Sequence, residues 1–243
     1  MKGISIDKIF SLSINKEYFD KLTEIINSVP EMLKNISQLE KYYVDKIEKV
    51  KNLGWTMSEL LMEEEIIEKD ENMTDEYIHQ FYKSNHYHQL FKEFESIKNN
   101  CGEAFDDTLD MIIEVLEVDM KYYPLCVGVL FSIVDHSFVY QLEDGQMDNS
   151  KFINKKTQEE FSGKINNDKT VLLKKIRLTC CELIKEKYFK SVSFSDNKLT
   201  RHSVHHGRYD VTQITEKEFI RLVNFCSTFS EFNNKPDKQC LIL

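Results

Sequence analysis

Residues 201–206 read Arg-His-Ser-Val-His-His, and Gly207 follows. Three of the chain's seven histidines sit in this segment: His202, His205 and His206. Arginine is scarce. Of 32 Lys+Arg, only Arg177, Arg201, Arg208 and Arg221 are arginines, and three of those four lie in or just after the segment. Imidazole gains and loses a proton near neutral pH more readily than any other side chain. A guanidinium is permanently charged, and its planar fork matches the oxygens of a phosphate. These residue types side by side point to proton transfer beside a phosphate, with RNA as the expected source of that phosphate.

The net charge of −9 argues at first against a nucleic-acid partner. Its distribution argues otherwise. Residues 163–243 carry 11 Lys and 4 Arg against nine acidic residues, a net +6 that leaves −15 on residues 1–162. A polyanion should meet the back of such a chain, where the surplus gives modest steering.

The elements that hold the segment are expected to be helices. Seven Gly and three Pro in 243 residues are too few for the turns of a sheet protein, and 41% hydrophobic content is enough for a real core. The apolar spacing predicts helices over about 15–28 and 30–53, the second ended by Gly54. Thr56-Met57-Ser58-Glu59 has the form of a capping box opening a helix through Glu63–Glu68. Thr74 is expected to start a helix running to about Lys98, and another spans about 105–122. Pro124 opens the most apolar stretch, Leu125 to Tyr140, expected to be a central buried helix. Residues 143–152 and 163–168 are expected to be loops. Asp168 is expected to cap a helix reaching about Phe189, and Thr215-Glu216-Lys217-Glu218 to cap the last one, with Phe219, Leu222, Val223, Phe225, Cys226 and Phe229 turned inward. The histidine segment then falls between the two C-terminal helices. The reading is an all-α multi-helix bundle in three parts: an acidic helical region over 1–100 that regulates or dimerises, a helical domain over 101–234 and a polar tail over 235–243. With no run of about 18 apolar residues and no signal-peptide h-region, the expectation is a cytoplasmic protein without a membrane span. Six cysteines without a CxxC pair are expected to be reduced and buried, with no zinc site and no cofactor.

Arg201-His202-Ser203-Val204-His205-His206-Gly207 resembles the signature of the HEPN superfamily: an Arg, then a polar Asn, Asp or His, then a closing His after a short gap. Gly207, Tyr209 and Thr212 resemble the run into the final helix of bacterial members, and the apolar helix after Lys121-Tyr122-Tyr123 is similar to their central helix. The likeness covers about residues 100–233, and residues 1–100 carry no pattern of comparable specificity. It implies an up-and-down C-terminal bundle, a homodimer, and metal-independent RNA cleavage in a composite site formed by two motifs. Relatives in phage defence or toxin–antitoxin systems imply an antitoxin or other regulatory protein as a further partner.

The chemistry suits the residues. Metal-free RNA cleavage uses the 2′-OH against its own neighbouring phosphate and needs a proton shuttle and a cation. His206 is the candidate shuttle, Arg201 the phosphate holder and His202 the orienting group. His205 and Arg208 are candidates for RNA or phosphate binding. Asp135, on an apolar helix where a carboxylate needs a partner, is the candidate orienting carboxylate. On an ideal helix Arg201 and His206 lie about 140° apart, so one motif is a loose pair and two facing motifs would close the site.

Blander readings stand beside these. The segment suits a solvated basic patch, and a non-catalytic helical module binding RNA or protein shares the same fold. His202 and His206 have the i, i+4 spacing of a metal pair but no evident third ligand. His79, His86 and His88 read as surface or packing residues, Trp55 as a core anchor and Glu63–Glu68 as a solvated face. Cys240-Leu241-Ile242-Leu243 matches a prenylation box and is read as coincidence.

Overall fold

A computed structural model describes residues 37–63, 73–147, 150–166, 170–190 and 198–233. The chain divides into two compact units, Met1–Asp45 and Lys46–Leu243. Of the first, the described residues 37–45 are helical.

The second unit is all-α. Residues 46–52, the end of a helix over 37–52 (α1), supply its first helical turns, with Ile47 and Val50 buried. There follow α2 (Glu59–Glu63), α3 (Asp75–Cys101), α4 (Asp106–Val118), a 3-10 segment (Met120–Cys126), α5 (Val127–Leu142), α6 (Lys155–Ile165), α7 (Val171–Leu183), α8 (Arg201–His205) and α9 (Glu216–Ser230). α9 is the hub, packed against α3, α5 and α7. Its capping box is the expected one, with the Glu218 amide donating to Thr215 Oγ1 and Glu218 reaching back to the Thr215 amide. Every residue from Leu222 to Ser230 is buried, on all sides of the helix.

Four expectations need correction. The Thr56 capping box does not form. α2 starts at Glu59, and Ser58 Oγ accepts from the Leu61 amide. Thr56 is buried, with Oγ1 2.8 Å from Asn224 Oδ1 and 2.8 Å from Thr228 Oγ1. A partner 168 residues away outcompeted a local cap. The division near residue 100 is not where the compact units part: α3 packs on α9, and buried Cys101 lies within hydrogen-bonding reach of Ser137 and Asn233. Residues from before and after that point thus share one core. Helix α6, absent from the sequence reading, is opened by a capping box of Asn154 and Thr157 and runs to Ile165, into the stretch expected to be loop. Finally, α3 is kinked. Asn85, His86 and Tyr87 all take left-handed backbone angles (φ 48, 55 and 62°) after an extended Ser84. Non-glycine residues there cost on the order of 1–3 kcal/mol each, so surrounding contacts must over-determine the turn. Tyr87 hydroxyl donates to Glu216 and Ser84 Oγ to the Phe81 carbonyl. The helix expected over 15–28, the Glu64–Glu68 stretch, the Asp168 cap and the Cys240 tail lie outside the described residues.

Met120–Leu142 is long and apolar enough by composition to cross a membrane, at mean hydropathy 1.5, and 61% of its window is buried inside the fold. Val127, Leu130, Phe131, Val134 and Phe138 of α5 face the core. Of the cysteines, Cys101, Cys126, Cys180, Cys181 and Cys226 are free thiols, four of them buried.

Candidate functional site

α8 is one turn and a half, too short to be stable on its own, so its ends are fixed. At the start, Ser203 N–H donates to Thr200 Oγ1 at 3.1 Å and Thr200 N–H to Ser203 Oγ at 3.0 Å, a buried capping box with serine in the place glutamate usually takes. At the end, Gly207 takes φ +61°, and the Arg208 amide returns to the Ser203 carbonyl at 2.7 Å. A Cβ on Gly207 would meet nothing within 4 Å, so glycine is required there by backbone angle and not by space.

This short turn is set on α5. Arg201 Nε donates to Asp135 Oδ2 at 2.7 Å, and both side chains stay partly exposed (40% and 25%). Burial pushes the Asp135 carboxyl up, against the pull of Arg201 and of His205. One turn before Asp135, Phe131 lies 6.5 Å from His205, centroid to centroid. Phe131 is held from behind by Tyr188 and Phe189, each at 6.1 Å, presented by a π-helical turn (Ile184–Tyr188) that ends α7. Such turns re-aim side chains and are frequent at functional sites.

The other side of α8 carries a second group. The His202 and His206 rings are 4.5 Å apart, and Arg208 Nη1 lies 2.8 Å from His202 Nε2. Guanidinium can only donate, so Nε2 accepts and the His202 proton sits on Nδ1. Partial loss of solvent and then the positive charges of His206, Arg208 and Arg201 hold His202 below the ordinary imidazole value. Burial and Arg201 do the same for His205, with Asp135 opposing. Both imidazoles are therefore neutral at pH 7 and able to accept a proton.

The sequence-derived candidates thus fall into two adjoining sets: Arg201, Asp135 and His205 on one side, His202, His206 and Arg208 on the other. His205 and His206 are exposed and His202 half-buried. Phe131, Thr200 and Ser203 were missed. Thr200 and Ser203 are i, i+3 hydroxyls directly before and inside the motif, which is a readable cap; nothing local singles out Phe131. Among the described residues no group of three or more His, Cys, Asp or Glu side chains is placed to hold a metal ion.

The remaining histidines lie elsewhere. His86 and His88 are exposed on α3 near its kink. His136 packs between Phe105 and Tyr140. His79 is buried, 3.6 Å from carboxylates of both Glu76 and Glu216. Trp55, 1% exposed, anchors this corner, donating to Asp75 Oδ1 at 2.9 Å under the Arg221 guanidinium.

No protein-family model, curated protein or solved structure matches the chain.

Proposed function

We propose that the chain is a metal-independent endoribonuclease of HEPN type, acting as a homodimer. The observation that carries this reading is the placement of Arg201 by Asp135 beside three surface or half-buried imidazoles. Arg201 would offset charge on the scissile phosphate. His206 would take the proton of the 2′-OH as its oxygen bonds to phosphorus, and a proton would pass to the 5′-oxygen as the P–O5′ bond breaks. His202 would orient the phosphate, and His205 and Arg208 would hold the RNA backbone. Arg201 and His206 stand at opposite ends of α8, His206 being its C-terminal cap, so two motifs facing each other would supply the full constellation. A role in phage defence or beside an antitoxin rests on the family likeness, and a cytoplasmic location on free thiols such as Cys180 and Cys226.

A second reading has its own observation. Arg201 is engaged by Asp135 and His202 Nε2 by Arg208, a set of mutually satisfied groups that suits a non-catalytic module binding RNA or protein. Incubation of the purified chain with total RNA in EDTA separates the two. Cleavage by the wild type and none by Arg201→Ala or His206→Ala supports the nuclease. An inert wild type at high concentration with every RNA tried leaves the module.

A further inference from the structure

Helix α4 has two faces of opposite fate. Leu109, Ile112 and Leu116 point inward and are buried. Met111, Val115 and Val118 form an i, i+4, i+7 stripe on the outer surface, 58%, 40% and 81% exposed. Tyr122 and Leu125 in the following 3-10 segment are 38% and 72% exposed. Scattered single apolar residues are normal on a surface; a stripe of this spacing marks a docking face.

Beside the stripe runs a ridge of acids. Asp107, Asp110, Glu114 and Glu117 follow the i, i+3, i+7, i+10 pattern that keeps them within about 80° of one another on the helix wheel. The sequence of α4, DDTLDMIIEVLEV, holds no lysine or arginine. Lys98 takes up Asp110 at 2.5 Å. Asp107, Glu114 and Glu117 have no ion-pair partner among the described residues.

An apolar seam flanked by one sign of charge is half of a helix–helix interface, and the missing half is defined by complementarity. We propose that the outer face of α4 docks a cationic amphipathic helix of a partner protein, with its apolar stripe on Met111, Val115 and Val118 and its Lys or Arg flank on Glu114 and Glu117. A second copy of this face would gather two acidic ridges at one seam with no cation from α4 to offset them. An anionic membrane surface would be repelled for the same reason. The surface lies on a different helix from the Arg201–His206 motif.

The test uses the full chain and a fluorescein-labelled helical peptide of about 18 residues, built from leucine in one stripe and lysine elsewhere, read by fluorescence anisotropy at physiological salt. A control peptide replaces every lysine with glutamate. The expected result is at least about tenfold tighter binding of the lysine peptide. Val118→Asp should weaken it at least about tenfold with the melting temperature unchanged, since Val118 is exposed. The double variant E114K/E117K should reverse the preference toward the glutamate peptide. Equal binding of both peptides, binding unmoved by Val118→Asp, or no reversal in the double variant overturns the proposal. So does a wild-type dimer that Val118→Asp dissociates, which makes a second copy the occupant, or vesicles of anionic lipid that bind wild type but not Val118→Asp.

Discussion

Two polar clusters of this protein make an instructive pair. One lies at the centre, between α3, α9 and the segment before α2. Glu93, fully buried, accepts from Tyr82 hydroxyl at 2.5 Å and Ser58 Oγ at 2.7 Å, and Asn224 joins them to Thr56 and Tyr82. The other is α8 on α5, where Arg201 and His205 meet Asp135 on one side and His202, His206 and Arg208 gather on the other. The first is buried and ties together parts of the chain 168 residues apart; it serves the fold. The second is open to water and rich in cations and neutral imidazoles, on a backbone fixed by the Thr200–Ser203 cap. A buried network specifies one packing, whereas an open one placed on a rigid support is available to a ligand.

The sharpest way to break the contrast is to remove one key group from each cluster. Under the nuclease reading, Arg201→Ala should cut RNA cleavage by about a hundred- to a thousandfold while shifting the melting temperature little. An Arg201→Ala chain that unfolds early would make this arginine a structural residue like Asn224. Asn224→Ala should do the opposite. It strips partners from Thr56, Tyr82 and Glu93 inside the core, so a loss of about 3 kcal/mol in urea unfolding is expected. A loss under 1 kcal/mol would mean the buried network is not what joins α9 to the front of the unit.

A smaller effect sharpens the account of α8. Gly207→Ala keeps all contacts but forces a Cβ into the left-handed region, at a cost of about 1 kcal/mol. Cleavage should fall with it if the cap holds His206 in place, and unchanged cleavage would detach the turn from the chemistry.

Titration separates the clusters again. His202 and His205 lie below the ordinary imidazole value, so the NMR titration midpoints of both rings should fall below pH 6.5. A midpoint above 6.5 for either ring would contradict the environment described. Glu93 is shifted the other way, upward, by burial. A carboxyl raised in the folded state contributes stability that is full below its unfolded value and is lost as pH rises through the folded value. Glu93→Gln, isosteric and uncharged, should therefore gain on the wild type from pH 4 to pH 7. Parallel stability curves across that range would show that Glu93 is not perturbed.

Much of the bundle was legible because helix periodicity and caps are local: the Thr74 and Thr215 starts, the Gly54 end and the apolar α5 all follow from neighbouring residues. What escaped is non-local. Thr56 carries the pattern of a cap yet bonds to Asn224 and Thr228. Nothing in Ser84-Asn85-His86-Tyr87 announces three left-handed residues, because the contact that fixes the turn comes from Glu216. At the site the same division holds. The Arg and His residues and a lone Asp135 stand out by type and context, and the Arg201–Asp135 bond joins two of them. The Phe131 support behind His205 depends on a π-helical turn that no local spacing encodes.

The chemistry of the RNA ends tests the central claim most directly. Attack by the 2′-OH leaves a 2′,3′-cyclic phosphate on one fragment and a 5′-hydroxyl on the other. The account predicts that the wild-type chain in EDTA yields those ends and spares a substrate whose 2′-OH is replaced by hydrogen at the cleaved position. Products bearing 5′-phosphate and 3′-hydroxyl, or cleavage of the 2′-deoxy position, would contradict it.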